Sequence, residues 1–250
     1  MRYRWLIVII IYCFTPSAFS QEFDIKEWVK EADEKMRGSS SKSTFSMTIE
    51  RPGWSRTITM KSWTIGNKFS LMYITSPAKE KGQVFLKRHN EMWNWIPRIE
   101  RMVKIPPSMM MQSWMGSDFT NDDVVKESSL ADDYIHRLAG EEKIEGYDCY
   151  KIELIPHEDA PVVWGKIYMW ITQKEKHWLK AEYYDEDDYL VKYEELSEIK
   201  MVDDREMPTR LEMIPVDKPN QRTILIYGDT DFDVPLKESF FSIQNMKRVR

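Results

Sequence analysis

WSRTITMKSWTIGNKFSLMYIT, residues 54–75, decides how the chain is read. Gly66-Asn67 separates two runs rich in β-branched and aromatic residues, the signal of a tight hairpin. The returning arm breaks the usual alternation. Phe69, Leu71 and Tyr73 are apolar on one side, and Met72 and Ile74 are apolar on the other. An antiparallel strand with one wet face alternates cleanly, so this strand is expected to be covered on both faces. Ile167 and Met169 oppose Tyr168 and Trp170 in the same way. A helix would cover one face of such a sheet and a ligand or lid the other. The simpler alternative is a two-layer core with aromatic edges.

Outward from this hairpin, strand follows strand. TFSMTIE precedes it; QVFLKR, EMWNWI and RIERMVKI come after. The second half repeats the pattern in YDCYKIELIP, VVWGKIYMWIT, HWLKAEYYD, YLVKYEELSEIKM, MPTRLEMIPV and RTILIYGD. Short strands with turn signals at hairpin spacing predict a mainly β (α+β) chain, an antiparallel meander curled or closed into a barrel-like sheet. One helix stands ahead of it. Ile25, Trp28, Val29, Ala32 and Met36 follow helical spacing, and Gly38 with the serine run at 39–43 ends it. No linker divides the chain, so residues 21–250 read as a single domain.

Residues 1–20 read as a secretory leader: Arg2 and Arg4, an apolar run from Leu6 to Phe14, then Ala18-Phe19-Ser20 before Gln21. Cleavage would remove both arginines and move the formal charge from −5 to −7. That balance excludes nucleic acid as a partner, because phosphate binding needs clustered Lys and Arg. Cys149 would be the one cysteine left, so no internal disulfide forms. A secreted chain without disulfides depends on its core. The expected location is a bacterial periplasm, as a soluble monomer.

Catalytic constellations are missing. His89, His136, His157 and His177 are scattered, and none falls in an HxH or HExxH spacing. Cys149 sits mid-strand beside Asp148, which disfavours a thiolate. No GxSxG and no phosphate-binding glycine loop is present. No enzymatic activity and no cofactor are expected.

What remains is IPPSMMMQSWMGSDFT, residues 105–120. Met109, Met110, Met111 and Met115 surround Trp114, bounded by Pro106-Pro107 and Gly116. Thioethers suit Cu(I), but consecutive helical methionines point about 100° apart and do not converge on one ion. Methionine also adapts to apolar shapes that vary. Trp93 and Trp95 lead into the segment, and Thr120 to Asp123 has the form of a capping box starting a short helix. The segment therefore reads as a Gly-hinged cover over an aromatic-bearing sheet, or as a piece that completes the core.

The run WNWIPRIERMVKIPPSMMMQSWMGSDFTNDDVV resembles the outer-membrane lipoprotein-sorting-protein-like family, related to the periplasmic lipoprotein carriers LolA and LolB. Trp93, Trp95 and Pro97, then Trp114 to Phe119, then Asp122-Asp123 carry the likeness, and DFDVPLKESFFSI at 231–243 is similar to the family's ending. The resemblance implies a curved, unclosed antiparallel barrel with covering helices and a hydrophobic cavity. It also implies lipid or lipoprotein acyl chains as cargo, and an inner-membrane export permease as a partner. Trp93, Trp95, Met109 and Met110 are the expected ligand or lid residues, with Met111, Trp114, Met115 and Phe119. Arg56, Arg98 and Arg101 are the candidates for a cavity or headgroup charge. A sensor or adaptor that uses the same fold to bind a protein is the alternative, and a Met-rich copper protein the weaker one.

Overall fold

The computed structural model describes residues 24–125, 129–160 and 162–250. The leader expected over residues 1–20 lies outside them. The helix α1 (Ile25–Arg37) forms where its spacing predicts it. Asp24 caps its start by accepting the Glu27 N–H, and Gly38, at φ +68°, closes its end with an N–H bond to the Glu34 carbonyl. The serine run after it is not a break. It opens β1 (Ser40–Arg51), which pairs along its whole length with β2 (Trp54–Ile65).

Hairpin turns then add β3 (Phe69–Ser76), β4 (Val84–Arg88), β5 (Glu91–Ile96) and β6 (Arg101–Lys104). The second half runs through β7 (Tyr134–Ile144), β8 (Tyr147–Pro156), β9 (Lys166–Thr172) and β10 (Trp178–Tyr184). It ends with β11 (Leu190–Val202), β12 (Arg205–Pro215) and β13 (Arg222–Phe232). β13 pairs back onto β1, so two meanders join into one 13-stranded sheet ordered β6-β5-β4-β3-β2-β1-β13-β12-β11-β10-β9-β8-β7. Among the described residues β6 and β7 do not pair, and the sheet stays open. The strand pattern predicts the antiparallel meander, and the family resemblance implies that it stays unclosed, as it does here. β7 is the strand that the pattern misses. It is an edge strand, wet over most of its length, so it carries no alternation to read.

Two covers share the inner face. Val29 and Ala32 of α1 pack on Tyr134, Ile152, Ile167 and Met169 in the second half. The segment 105–120 packs Trp114, Met109, Met110 and Met115 on Met47, Ile58, Met60, Ile74 and Phe85 in the first half. The outer face of the first half is buried as well. Phe69, Leu71, Tyr73, Val84 and Leu86 lie under Phe241, Met246 and Val249, of which Met246 belongs to the short helix α3 (Ile243–Met246) and the other two flank it. This explains the doubly apolar strand at 69–74. Met72 and Ile74 face the methionine segment, while Phe69, Leu71 and Tyr73 face the C-terminal segment. Among the described residues no helix is long and apolar enough to cross a membrane.

Candidate functional site

The methionine segment holds its place by polar anchors. Ser113 and Thr120 form a β-bridge, and the Trp114 N–H bonds to the Phe119 carbonyl. At the bend, Met115 and Gly116 both take positive φ (+53° and +79°). Two arginines grip this bend. Arg56 donates to the Met115 carbonyl and pairs with Glu80. Arg51 donates to the Gly116 carbonyl and spans both carboxylate oxygens of Asp118 at 3.0 Å. The Asp118 side chain is 5% exposed, and Thr223 donates to it at 2.7 Å. The carbonyls of Met115 and Gly116, at the expected hinge, are thus both held by arginine side chains.

Beyond the bend, the capping box forms as its residues suggest. The Thr120 N–H bonds to Asp123 and the Asp123 N–H to the Thr120 hydroxyl, which starts α2 (Asn121–Val125). Asp123 also takes Lys192 at 2.6 Å, tying α2 to the sheet.

Between this cover, the C-terminal turn of α1 and the sheet lies a cavity in two adjoining lobes. One, of about 220 Å³, reaches Phe45, Met72, Trp114 and Leu225. The other, of about 260 Å³, reaches Leu130, Trp164, Trp178, Leu196 and Met213. Met36, Phe119, Leu225 and Tyr227 border both. Pockets for small molecules span roughly 300–1,000 Å³; neither lobe reaches that range alone, and the two taken together do.

The lobes are not uniformly apolar. On β11, Lys192, Glu194 and Leu196 share the inward parity and all are buried. Glu194 lines the second lobe, and its carboxyl is pushed up to about 7 by burial, against the opposing pull of the Tyr183 hydroxyl and Lys192. Tyr183 donates to Glu194 at 2.9 Å, and burial together with that carboxylate holds the phenol well above its ordinary value. The Lys192 ammonium lies 4.9 Å from the Trp164 ring centre and 5.3 Å from that of Tyr183. Buried charges are costly unless paired, and each of these has a partner.

The residues singled out from sequence separate into three places. Trp114 and Phe119 line the cavity. Met109, Met110 and Met115 pack into the core above the first half of the sheet, and Met111 is 55% exposed. Trp93 and Trp95 lie on the outer face with Met102 and Phe240, on the far side of the sheet from the methionines. Lys104 sits over the Trp93 ring and Lys247 over that of Trp95. Arg56 is a clamp on the cover; Arg98 and Arg101 are exposed at the β5–β6 turn and do not border the cavity. Sequence reasoning missed Lys192, Glu194, Tyr183 and the serines of β1. The signal for the first two was present: K-x-E-x-L at 192–196 is a period-2 pattern whose apolar member marks an inward face.

A family model described as "-like: Uncharacterized protein" matches residues 66–248. No curated protein matches the chain. Among solved structures, a DUF1329 family protein from Desulfovibrio piger superposes with a TM-score of 0.80 at 24% identity, over 88% of this chain and 97% of that one. A LolA superfamily protein from Nitrosomonas europaea gives 0.74 at 23% identity, over 88% and 97%. A domain described as that of an outer membrane lipoprotein-sorting protein from Vibrio parahaemolyticus gives 0.76 at 24% identity, over 89% and 98%.

Proposed function

Because the chain belongs to the family described as "-like: Uncharacterized protein" and has the LolA-superfamily fold, we propose that it is a carrier rather than an enzyme. It takes the acyl chains of a lipid or lipoprotein into the inner cavity and moves them through water, in a periplasm. One observation carries the reading: a two-lobed cavity under a methionine and tryptophan cover, in a fold shared with a lipoprotein-sorting domain. Each acyl CH₂ exposed to water costs about 0.8 kcal/mol, so a multi-chain lipid does not leave one membrane for another unaided. A carrier must offset that cost and still release its cargo. Deformable walls serve both needs, since they follow the chains without a rigid fit. A membrane permease is the fitting donor, and the carrier acts as a monomer.

Native mass spectrometry of the protein recovered from a periplasm, followed by organic extraction, tests the proposal. A mass excess that leaves with the solvent as acylated species is the expected result. A bare mass that stays bare after incubation with phospholipid vesicles would overturn it and favour a protein-binding adaptor.

A further inference from the structure

Buried polar atoms without a partner are rare, yet among the described residues each lobe of the cavity has one on its wall. Trp114, in the cover, lines the first lobe, and Trp178, on β10, lines the second. The indole N–H of each is buried and bonds to nothing in the protein. An indole N–H donates and cannot accept, so the two lobes share a single lack, that of an acceptor. The usual outcome is seen elsewhere in the chain: Trp170, 1% exposed, donates to Glu142 at 2.8 Å.

Acceptors do stand on these walls, but they are engaged with other groups. Glu194 takes the Tyr183 hydroxyl, and Asp123 takes Lys192. The Trp114 ring is held edge-on to Phe85 at 5.4 Å, under a backbone N–H bonded to the Phe119 carbonyl. Trp178 stands in register with Ile171 and packs against Leu196, Leu211 and Met213. A wall meant only to be apolar is better built with phenylalanine, which has no donor to strip of water. Two tryptophans, one on each side of the border that Met36 and Phe119 share, are a costlier choice.

We propose that these two indoles read the carbonyl oxygens of a cargo with two ester-linked acyl chains, one chain and one carbonyl to each lobe. The inference rests on the carrier reading and narrows it. Burial alone recognises a hydrocarbon chain without telling one apolar molecule from another. The ester carbonyl is the acceptor nearest the chain and enters the apolar zone with it. Bonding there satisfies two groups that would otherwise both be desolvated. The two glyceryl esters of a phospholipid and those of an acylated lipoprotein N-terminus offer the same chemistry.

The test compares dihexanoyl phosphatidylcholine with its dihexyl ether analogue, which lacks only the carbonyls, by isothermal titration of the full mature chain below micelle formation. The wild type is expected to bind the ester roughly tenfold or more tightly than the ether, the scale of two neutral hydrogen bonds. Trp114→Phe and Trp178→Phe each remove one N–H and should each cut that preference a few-fold. Because the ratio is read, any general loss from the smaller ring cancels, and Trp178→Phe decides alone if Trp114→Phe fails to fold. A peptide with a diacylglyceryl cysteine is the third ligand; whichever ester ligand binds more tightly names the source, provided that the ether stays weakest. Equal affinity for ester and ether in the wild type would overturn the inference and leave the carrier reading standing. A preference that survives both substitutions would overturn it too, by placing carbonyl recognition elsewhere. Failure of all three ligands to bind would instead remove the carrier reading beneath it.

Discussion

β3 and β4 are covered twice, by the methionine segment on their inner face and by the C-terminal segment on their outer face. Both covers are short, irregular and rich in large apolar side chains, yet they are attached differently. The outer one is ring against ring: Phe241 lies 5.6 Å from Phe69, and Phe240 lies 5.6 Å from Trp63. The inner one also makes a ring contact, Trp114 with Phe85 at 5.4 Å. Its bend, however, is held by Arg51, Arg56 and Asp118 through directional polar bonds. Apolar contact alone holds a cover only where the surfaces touch. A cover with polar anchors keeps its place beside a cavity that it does not fill. The difference separates a seal from a roof.

The largest effects should fall on the two attachments and should differ in kind. Phe241→Ala removes a fully buried ring and should cost about 3–5 kcal/mol in urea unfolding, with acyl-ligand affinity unchanged. Asp118→Ala leaves Arg51 buried without its carboxylate and should cost about 2–4 kcal/mol. Unlike the first variant, it should also weaken acyl-ligand binding, because the roof loses its anchor. If Asp118→Ala binds normally, the roof is an ordinary piece of core and the comparison collapses.

Much of this was legible in the sequence. The hairpin at Gly66-Asn67, the double burial of residues 69–74, the helix ahead of the sheet and the antiparallel meander all follow from local pattern and turn chemistry, while its staying open followed from the family resemblance. The capping box at Thr120 to Asp123 was readable to the residue. The site was harder. Trp93 and Trp95 precede the methionine segment in sequence, but strand parity sends them to the outer face while Met92 between β4 and β6 points inward. Adjacency along the chain does not predict adjacency across a sheet. Nor does a run such as SSSKS announce a cavity wall. Ser41 and Ser43 gain that role only through their register with Thr64 and Ser62, which no single segment contains.

The charge buried on the inner face has no counterpart among the packed rings of the outer one, and pH exposes it. The Glu194 carboxyl titrates near 7 in the fold and near its ordinary value when unfolded. Between those values the native state holds a proton that the unfolded state has lost, so stability falls as pH rises from about 4.5 to about 7. Below that window the group contributes no penalty, and above it the penalty is complete. Glu194→Gln keeps an acceptor for Tyr183 and removes the ionisation. It should raise stability above pH 7 by on the order of 2–3 kcal/mol and change nothing near pH 4. Chemical denaturation at both pH values checks the sign. A variant no more stable than the wild type at pH 8 would mean that Lys192 already compensates the charge.

The smallest effect should sort the methionines themselves. Met110 packs beneath the roof on the inner core, whereas its neighbour Met111 is 55% exposed. Met111→Ser removes little contact, so it should shift stability by less than about 0.5 kcal/mol and leave ligand affinity alone. Met110→Ser opens a gap between roof and sheet and should cost about 1–3 kcal/mol. The pair isolates position from composition, since the two residues are identical and consecutive. Should Met111→Ser instead reduce transfer of acyl ligand to vesicles while binding stays intact, the exposed thioether would belong to the step of delivery, and the roof would have a working outer side as well as an inner one.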